Sequence, residues 1–128
     1  MSVQVETRDG VSTFRPGDEV AGTVRWDLDR PPKSVAVRLF WYTEGKGNRD
    51  RGIVADLDLA DPAATDRRPF RFVLPAGPWS FVGELITLVW AIEAVVEPGD
   101  HAARIEIAVS PTGRPIRLAG TPGAVAAG

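Results

Sequence analysis

The sequence contains no cysteine and only one histidine, His101, among its 128 residues. The absence of cysteine excludes disulfides, thiolate metal sites and a cysteine nucleophile. A single histidine leaves a histidine-rich zinc site without ligands and gives histidine-based catalysis only one candidate. No run of about eighteen apolar residues is present, so we predict no membrane-spanning helix. These absences favour a binding or scaffolding domain over an enzyme.

The charge balance is close to neutral. Lysine and arginine number 15 against 17 aspartate and glutamate residues, a formal net charge of -2. This balance argues against a strongly basic nucleic-acid binder, so we expect no nucleic-acid partner. Residues 1–8 also lack the apolar core of a signal peptide. Together with the absence of cysteine, this leads us to expect a cytoplasmic location.

Apolar residues recur at every second position in a series of segments separated by glycine and proline. This period is typical of half-buried strands and predicts an all-β sandwich or barrel of about seven strands or more. The alternating segments begin at Val3, Val20, Val35, Ile53, Phe70, Ile86 and Ile105. From the same pattern we predict a core that contains Val24, Trp26, Leu39, Trp41, Phe72, Phe81, Leu88, Trp90, Ile92 and Ile107.

Local signals refine this outline. Residues 15–18 and 97–100 each place Pro then Gly at their centre, which predicts type II turns. Gly22 inside a strand predicts a bulge or a close backbone approach. We expect one domain over residues 1–109, followed by a tail over residues 110–128 that is rich in proline, glycine and alanine. A short edge strand at residues 115–118 is a further prediction.

The loop at residues 45–52 is the candidate partner-binding site. It is flanked by glycine and locally basic, and arginine can pair with a carboxylate or phosphate through two hydrogen bonds. The alternative interpretation is a solvated hairpin tip. The candidate binding residues are Lys46, Asn48, Arg49, Asp50 and Arg51.

No other motif predicts catalysis, a cofactor or a metal. Asp56, Asp58 and Asp61 resemble the start of a calcium loop but lack its glycine and its distal glutamate. Strand alternation already accounts for Asp56 and Asp58 as a solvated face. Phe40 and Tyr42 lie opposite Trp41 in the alternation, where they could form a sugar platform or pack beneath a second layer. A small-ligand or carbohydrate-binding sandwich is therefore the alternative function.

Several segments together resemble the amino-terminal domain of the arrestin family. Residues 14–24 are similar to its Pro-Gly-Asp-x-Val-x-Gly-x-Val turn and strand. Residues 70–75, 78–83 and 88–94 are similar to its series Phe-x-Phe-x-Leu-Pro, Pro-x-Ser-Phe-x-Gly and Tyr-x-Ile-x-Ala. The order and spacing agree from about residue 3 to residue 109.

The resemblance implies an immunoglobulin-like, arrestin-type antiparallel β-sandwich of about seven to eight strands. It implies a non-catalytic interaction or scaffold domain that binds a protein, with residues 45–52 where arrestins place a partner-contacting hairpin tip. Arrestins carry two such sandwiches, whereas this chain has the length of one. Unpaired sheet edges also lead us to expect a homodimer, formed by pairing of an edge strand or of the tail.

Overall fold

A computed structural model describes residues 2–45, 50–83, 86–98 and 101–112, and the backbone of residues 116–117. The described residues contain no α-helix, and the predicted all-β class is confirmed. The long strands are β1 (Ser2–Thr7), β3 (Glu19–Asp27), β4 (Ser34–Gly45), β5 (Arg51–Asp58), β6 (Thr65–Val73), β8 (Ile86–Glu97) and β9 (His101–Val109). Three short strands complete the set: β2 (Thr13–Phe14), β7 (Phe81–Val82) and β10 (Ile116–Arg117).

The strands form two sheets that enclose one core. The smaller sheet has three strands in the order β1-β3-β6, all antiparallel. The larger has seven strands, with the path β10-β7-β8-β4-β5, and β9 pairs with both β8 and β2. The predicted sandwich is therefore confirmed, with β4 and β8 at the centre of the large sheet and β5 at its edge.

The core lies where the alternating apolar faces of the two sheets meet. Every residue of the predicted core is buried except Trp41 and Phe81, which are half-buried and pack against its margin. Trp26 and Trp90 carry polar indole nitrogens into this core. Their Nε1 atoms donate to the carbonyls of Ala63 at 2.7 Å and Pro78 at 2.9 Å, which satisfies both groups.

The turn at residues 15–18 has the predicted geometry. The amide of Asp18 donates to the carbonyl of Arg15 at 3.0 Å, and Gly17 has φ of +87°, as the third position of a type II turn requires. At the other predicted turn, the peptide bond between Glu97 and Pro98 is cis. Residues 99 and 100 lie outside the described residues, so that turn remains a prediction.

Gly22 allows the close approach predicted for it. A Cβ atom at this position would lie 2.1 Å from the carbonyl oxygen of Glu6 and 2.6 Å from the ring of Phe70. Phe70 is the direct cross-strand partner of Gly22, and its ring fills the space that a side chain would take. The glycine is therefore required by packing between β1, β3 and β6.

The predicted alternation of β5 is wrong at Ile53, which does not face the core. Leu39 pairs with Ala55, whereas the next residue of β4, Phe40, pairs with Ile53, so Val54 is an extra residue in a β-bulge. The bulge moves Ile53 to the outer face, where its side chain is 54% exposed. Gly52 takes the inner position. A residue with a side chain would not fit there, because its Cβ would lie 2.2 Å from the indole of Trp41.

The described part of the tail includes a short strand. Ile116 and Arg117 pair in parallel with Phe81 and Val82 of the same chain, within the segment predicted as an edge strand. Residues 113–115 and 118–128 lie outside the described residues. The division into a domain at 1–109 and a tail at 110–128 stays a prediction.

Candidate functional site

The structure describes only part of the predicted binding loop. Lys46, Asn48 and Arg49 lie outside the described residues, whereas Asp50 and Arg51 lie at the base of the loop. The amide of Asp50 donates to Oγ1 of Thr43 at 2.9 Å, and the Asp50 carbonyl accepts from the Thr43 amide at 2.9 Å. These bonds hold the start of β5 against the end of β4 and so set the position of Arg51.

Arg51 lies over an aromatic side chain on the outer face of the large sheet. Its guanidinium carbon is 4.6 Å from the centre of the Phe40 ring, and that of Arg104 is 5.1 Å away. Phe40 is only 1% exposed although it lies outside the main core. Phe40 and Tyr42 thus occupy the face opposite Trp41, as expected, and two arginines cover Phe40.

The two arginines that cover Phe40 differ in their ion pairs. Arg104 forms an ion pair with Glu93 at 3.1 Å. No acidic group within the described ranges pairs with Arg51. Among the residues that the structure describes, no carboxylate therefore engages its N–H donors.

Tyr42 lies beside Phe40 and its two arginines. Its hydroxyl donates to Oε2 of Glu106 at 3.4 Å, and its ring centre lies 5.9 Å from that of Phe40. Burial raises the pKa of Tyr42, the charges of Glu106 and Glu44 raise it further, and Arg104 opposes them. The phenol therefore stays protonated and able to donate at neutral pH.

Together these side chains line an open depression of about 560 Å³. Thr43 and Glu44 of β4 and Asp50 at the loop base complete its rim. Aromatic surface beside guanidinium groups can hold a carboxylate, or a planar side chain stacked on arginine. The depression therefore combines binding groups from β4, β5 and β9.

Three residues of this depression, Thr43, Glu44 and Arg104, were not predicted from the sequence. Arg104 comes from a different part of the chain. It reaches Phe40 only because Phe40 pairs with Ala91 of β8, which in turn pairs with Glu106 of β9. The polar alternation of Arg104 and Glu106 in β9 was the available signal. That signal does not show which strand lies beside β9.

The free edge of β5 adjoins the depression. β5 ends the strand order of the large sheet, and the described residues place no strand on its outer side. Ile53 is 54% exposed and Val54 is 38% exposed along this edge. Asp56 forms an ion pair with Arg38 at 3.0 Å, so one of the three aspartates that resemble the start of a calcium loop is paired with a cation of the chain.

The aspartates and the histidine singled out from the sequence, Asp56, Asp58, Asp61 and His101, are not among the residues that line this depression. Among the described residues, no three His, Cys, Asp or Glu side chains are close enough to hold a metal ion. His101 lies in a separate depression of about 210 Å³ with Pro31, Pro32 and Pro98. No helix in the described part of the chain has the length and apolar character needed to cross a membrane.

Comparison with known proteins identifies the fold. No family model matches the sequence, and no curated protein matches it. The two sheets nevertheless have the arrangement of an arrestin-like β-sandwich, so the resemblance found in the sequence is confirmed at the level of the fold.

The structural likeness that supports this fold is to Spo0M, a sporulation control protein from Bacillus subtilis. The TM-score is 0.64 at 18% identity, over 85% of this chain and 49% of the Spo0M chain. The chain thus spans about half the length of that protein. At this identity the likeness establishes the fold alone.

Two weaker likenesses are to enzymes. A superoxide reductase (neelaredoxin) from Ignicoccus hospitalis has a TM-score of 0.48 at 15% identity, over 86% of this chain and 81% of that chain. A β-glucosidase from Listeria innocua has a TM-score of 0.46 at 12% identity, over 85% of this chain and 16% of that chain. Both scores are too low to support an argument about function.

Proposed function

We propose that this chain is a non-catalytic interaction or scaffold domain of arrestin-like type. It binds a protein partner through the loop at residues 45–52 and the free edge of β5. The observation that carries the proposal is the position of Arg51, which lies at the junction of the loop, the depression and that edge. The cytoplasmic location and the absence of a cofactor expected from the sequence belong to the same proposal.

The edge of β5 is suited to strand addition. An unpaired edge offers backbone amides and carbonyls to an extended segment, and side-chain contacts beside it supply specificity. The outer edge of the small sheet is less suitable, because Pro69 in the middle of β6 has no amide to donate. Within the described residues, β5 is a long edge strand without proline.

The depression adds side-chain recognition to this edge. An acidic or phosphorylated side chain placed there would meet the guanidinium of Arg51, which no carboxylate of the described residues pairs with and which can bind two oxygens at once. Glu44 and Asp50 on the rim repel a second negative charge. The arrangement therefore favours a partner segment that places a single acidic group beside Arg51.

The alternative function, a carbohydrate-binding sandwich, is less well supported. Sugars stack on exposed aromatic faces, whereas Phe40 is 1% exposed beneath two arginines. Trp79 is 43% exposed, but its indole Nε1 already donates to the carbonyl of Ala76 at 2.8 Å. Calorimetric titration with simple sugars that gave saturable heat, lost in Trp79→Ala, would favour this alternative.

Site-specific photo-crosslinking tests the proposed function. A photoreactive phenylalanine at Ile53 would lie on the β5 edge, and one at Val73, which is 68% exposed on the small sheet, is the matched control. After irradiation in cells, we expect one protein to be crosslinked at position 53 and not at position 73. Arg51→Glu should remove that product. Identical products from both positions, or none from position 53, would contradict the proposal.

A further inference from the structure

The backbone groups on the free edge of β5 can be assigned residue by residue. The Thr43 amide donates to the carbonyl of Asp50, and the Leu59 amide donates to the carbonyl of Val35, both at 2.9 Å. Alternate residues of an antiparallel strand direct their amide and carbonyl to the same neighbour. Counting inward from these two bonds gives the residues whose amide and carbonyl groups point toward β4: Asp50, Gly52, Ala55, Leu57 and Leu59.

The groups that point away from β4 therefore belong to Arg51, Ile53, Asp56 and Asp58. The bulge at Val54 sets this spacing, because it places two residues rather than one between Ile53 and Asp56. All four side chains lie on the outer face, since Ala55 and Leu57 pack against the core. The free edge thus carries a positive charge at one end and negative charges at the other.

This edge is complementary to itself. Suppose that the β5 strand of a second copy lies antiparallel to the first, with a two-fold axis that passes between Val54 and Ala55. Arg51 of one copy then pairs with Asp58 of the other, and Ile53 pairs with Asp56 of the other. Each pair joins two residues whose backbone groups point outward, so both pairs can exchange amide–carbonyl hydrogen bonds. In a regular strand without the bulge, the backbone groups of Arg51 and Asp58 would point to opposite edges, so these two residues could not form such a pair.

We propose that the partner of the β5 edge is a second copy of this chain, paired in this register. This inference rests on the proposed function, because it names the occupant of the edge assigned there. Charge complementarity supports it. No described residue forms an ion pair with Arg51 or with Asp58, and the two-fold pairing would create two equivalent Arg51–Asp58 ion pairs.

Charge exchange tests this register directly. Arg51→Asp places like charges opposite each other in its own homodimer, and Asp58→Arg does the same with the opposite sign. An equimolar mixture of the two variants restores an attractive pair at both positions. Arg67→Asp, an equal change of charge on exposed β6 of the other sheet, is the control.

Sedimentation velocity at concentrations up to roughly 1 mM covers the weak association expected of one pair of strands. We expect the wild type and Arg67→Asp to dimerise, each β5 variant alone to have a dissociation constant raised about tenfold or more, and the mixture to recover the dimer. Circular dichroism of each variant establishes that it is folded.

Three results would overturn the inference: a wild type that stays monomeric, single variants that dimerise like the wild type, or a mixture that stays monomeric. These failures are separate from failure of the proposed function. A monomeric wild type that still crosslinks a different protein at position 53 would reject self-pairing and leave the proposed function intact. Crosslinks at position 53 to a second copy alone would reject a heterologous partner.

Discussion

At the scale of single residues, three of the four tryptophans, Trp26, Trp79 and Trp90, donate an indole hydrogen bond in addition to their packing contacts. Trp90 is fully buried at the centre of the large sheet, and its indole donates to the carbonyl of Pro78. Trp79, in the adjoining segment, has a similar bond to the carbonyl of Ala76 but is 43% exposed. Burial rather than hydrogen bonding therefore separates their expected contributions to stability.

Trp90→Ala should lower the free energy of unfolding by about 3–5 kcal/mol, because it leaves a cavity in the core and an unpaired Pro78 carbonyl. Trp79→Ala is the matched control and should cost less than about 1 kcal/mol. Urea unfolding followed by circular dichroism measures both. Equal losses in the two variants would show that the side chain of Trp90 is not in the core.

Tyr42 is the chain's one tyrosine, so its ionisation can be read without interference. We expect the tyrosinate absorbance to appear with a midpoint above the ordinary tyrosine pKa, mainly because of burial. Glu106→Gln should lower that midpoint, and Arg104→Gln should raise it. Opposite directions would contradict the arrangement of charges around the depression.

The raised pKa of Tyr42 also determines how ionisation of this residue changes the stability of the fold. A phenol whose pKa is higher in the folded than in the unfolded chain favours folding while it is protonated. That contribution is present below the unfolded pKa and is lost as the pH rises through the folded pKa. Tyr42→Phe should therefore weaken the loss of stability at alkaline pH, as measured by urea unfolding across that range.

At the scale of the strands, the period of two was enough to predict β3, β4, β6, β8 and β9. In β3, β6 and β9 a polar or small residue separates successive apolar ones, so one register alone buries the apolar set. In β4 and β8 some intervening residues are also apolar, such as Phe40 and Val89, and the prediction rests on the greater length of the alternating run. In β5 the consecutive residues Ile53, Val54 and Ala55 are all apolar, and alternation cannot decide which of them faces inward. The contact between Gly52 and Trp41 decides it, and that contact joins two strands.

The candidate site, like β5, could be predicted only in part from local sequence. Asp50 and Arg51 could be named from the sequence because a basic, glycine-flanked loop is a local signal. The contact of Arg104 with Phe40 joins residues of β9 and β4, which lie on either side of β8. Only the pairing of three strands brings them together, so this half of the site could not be predicted locally.

Gly22 gives a test of the packing between strands. Gly22→Ala should reduce stability by about 1–3 kcal/mol or more, because the added methyl group meets the Glu6 backbone oxygen and the Phe70 ring. Gly77→Ala is the control, since no atom lies within 4 Å of a Cβ there. Thermal unfolding compares the two. A Gly22→Ala variant as stable as Gly77→Ala would contradict the close approach of β1 and β6 to this glycine.

At the scale of the whole molecule, the outer edges of the two sheets differ in how well they suit an added strand. The small sheet is bounded by β6, which carries Pro69, and by β1, which lies beside β9 of the other sheet. The large sheet ends in β5, where Arg51 links the free edge to the depression over Phe40. The backbone and side-chain groups that we propose to bind the partner therefore lie along one side of the molecule.

Amide hydrogen exchange resolved by NMR tests most directly whether β5 is the binding edge. We predict that Arg51, Ile53, Asp56 and Asp58 exchange rapidly in the dilute monomer and become protected on association. Gly52, Ala55 and Leu57, which already face β4, should change little. Protection confined to β1 or β6, with these four β5 amides still exchanging rapidly in the associated state, would contradict the account.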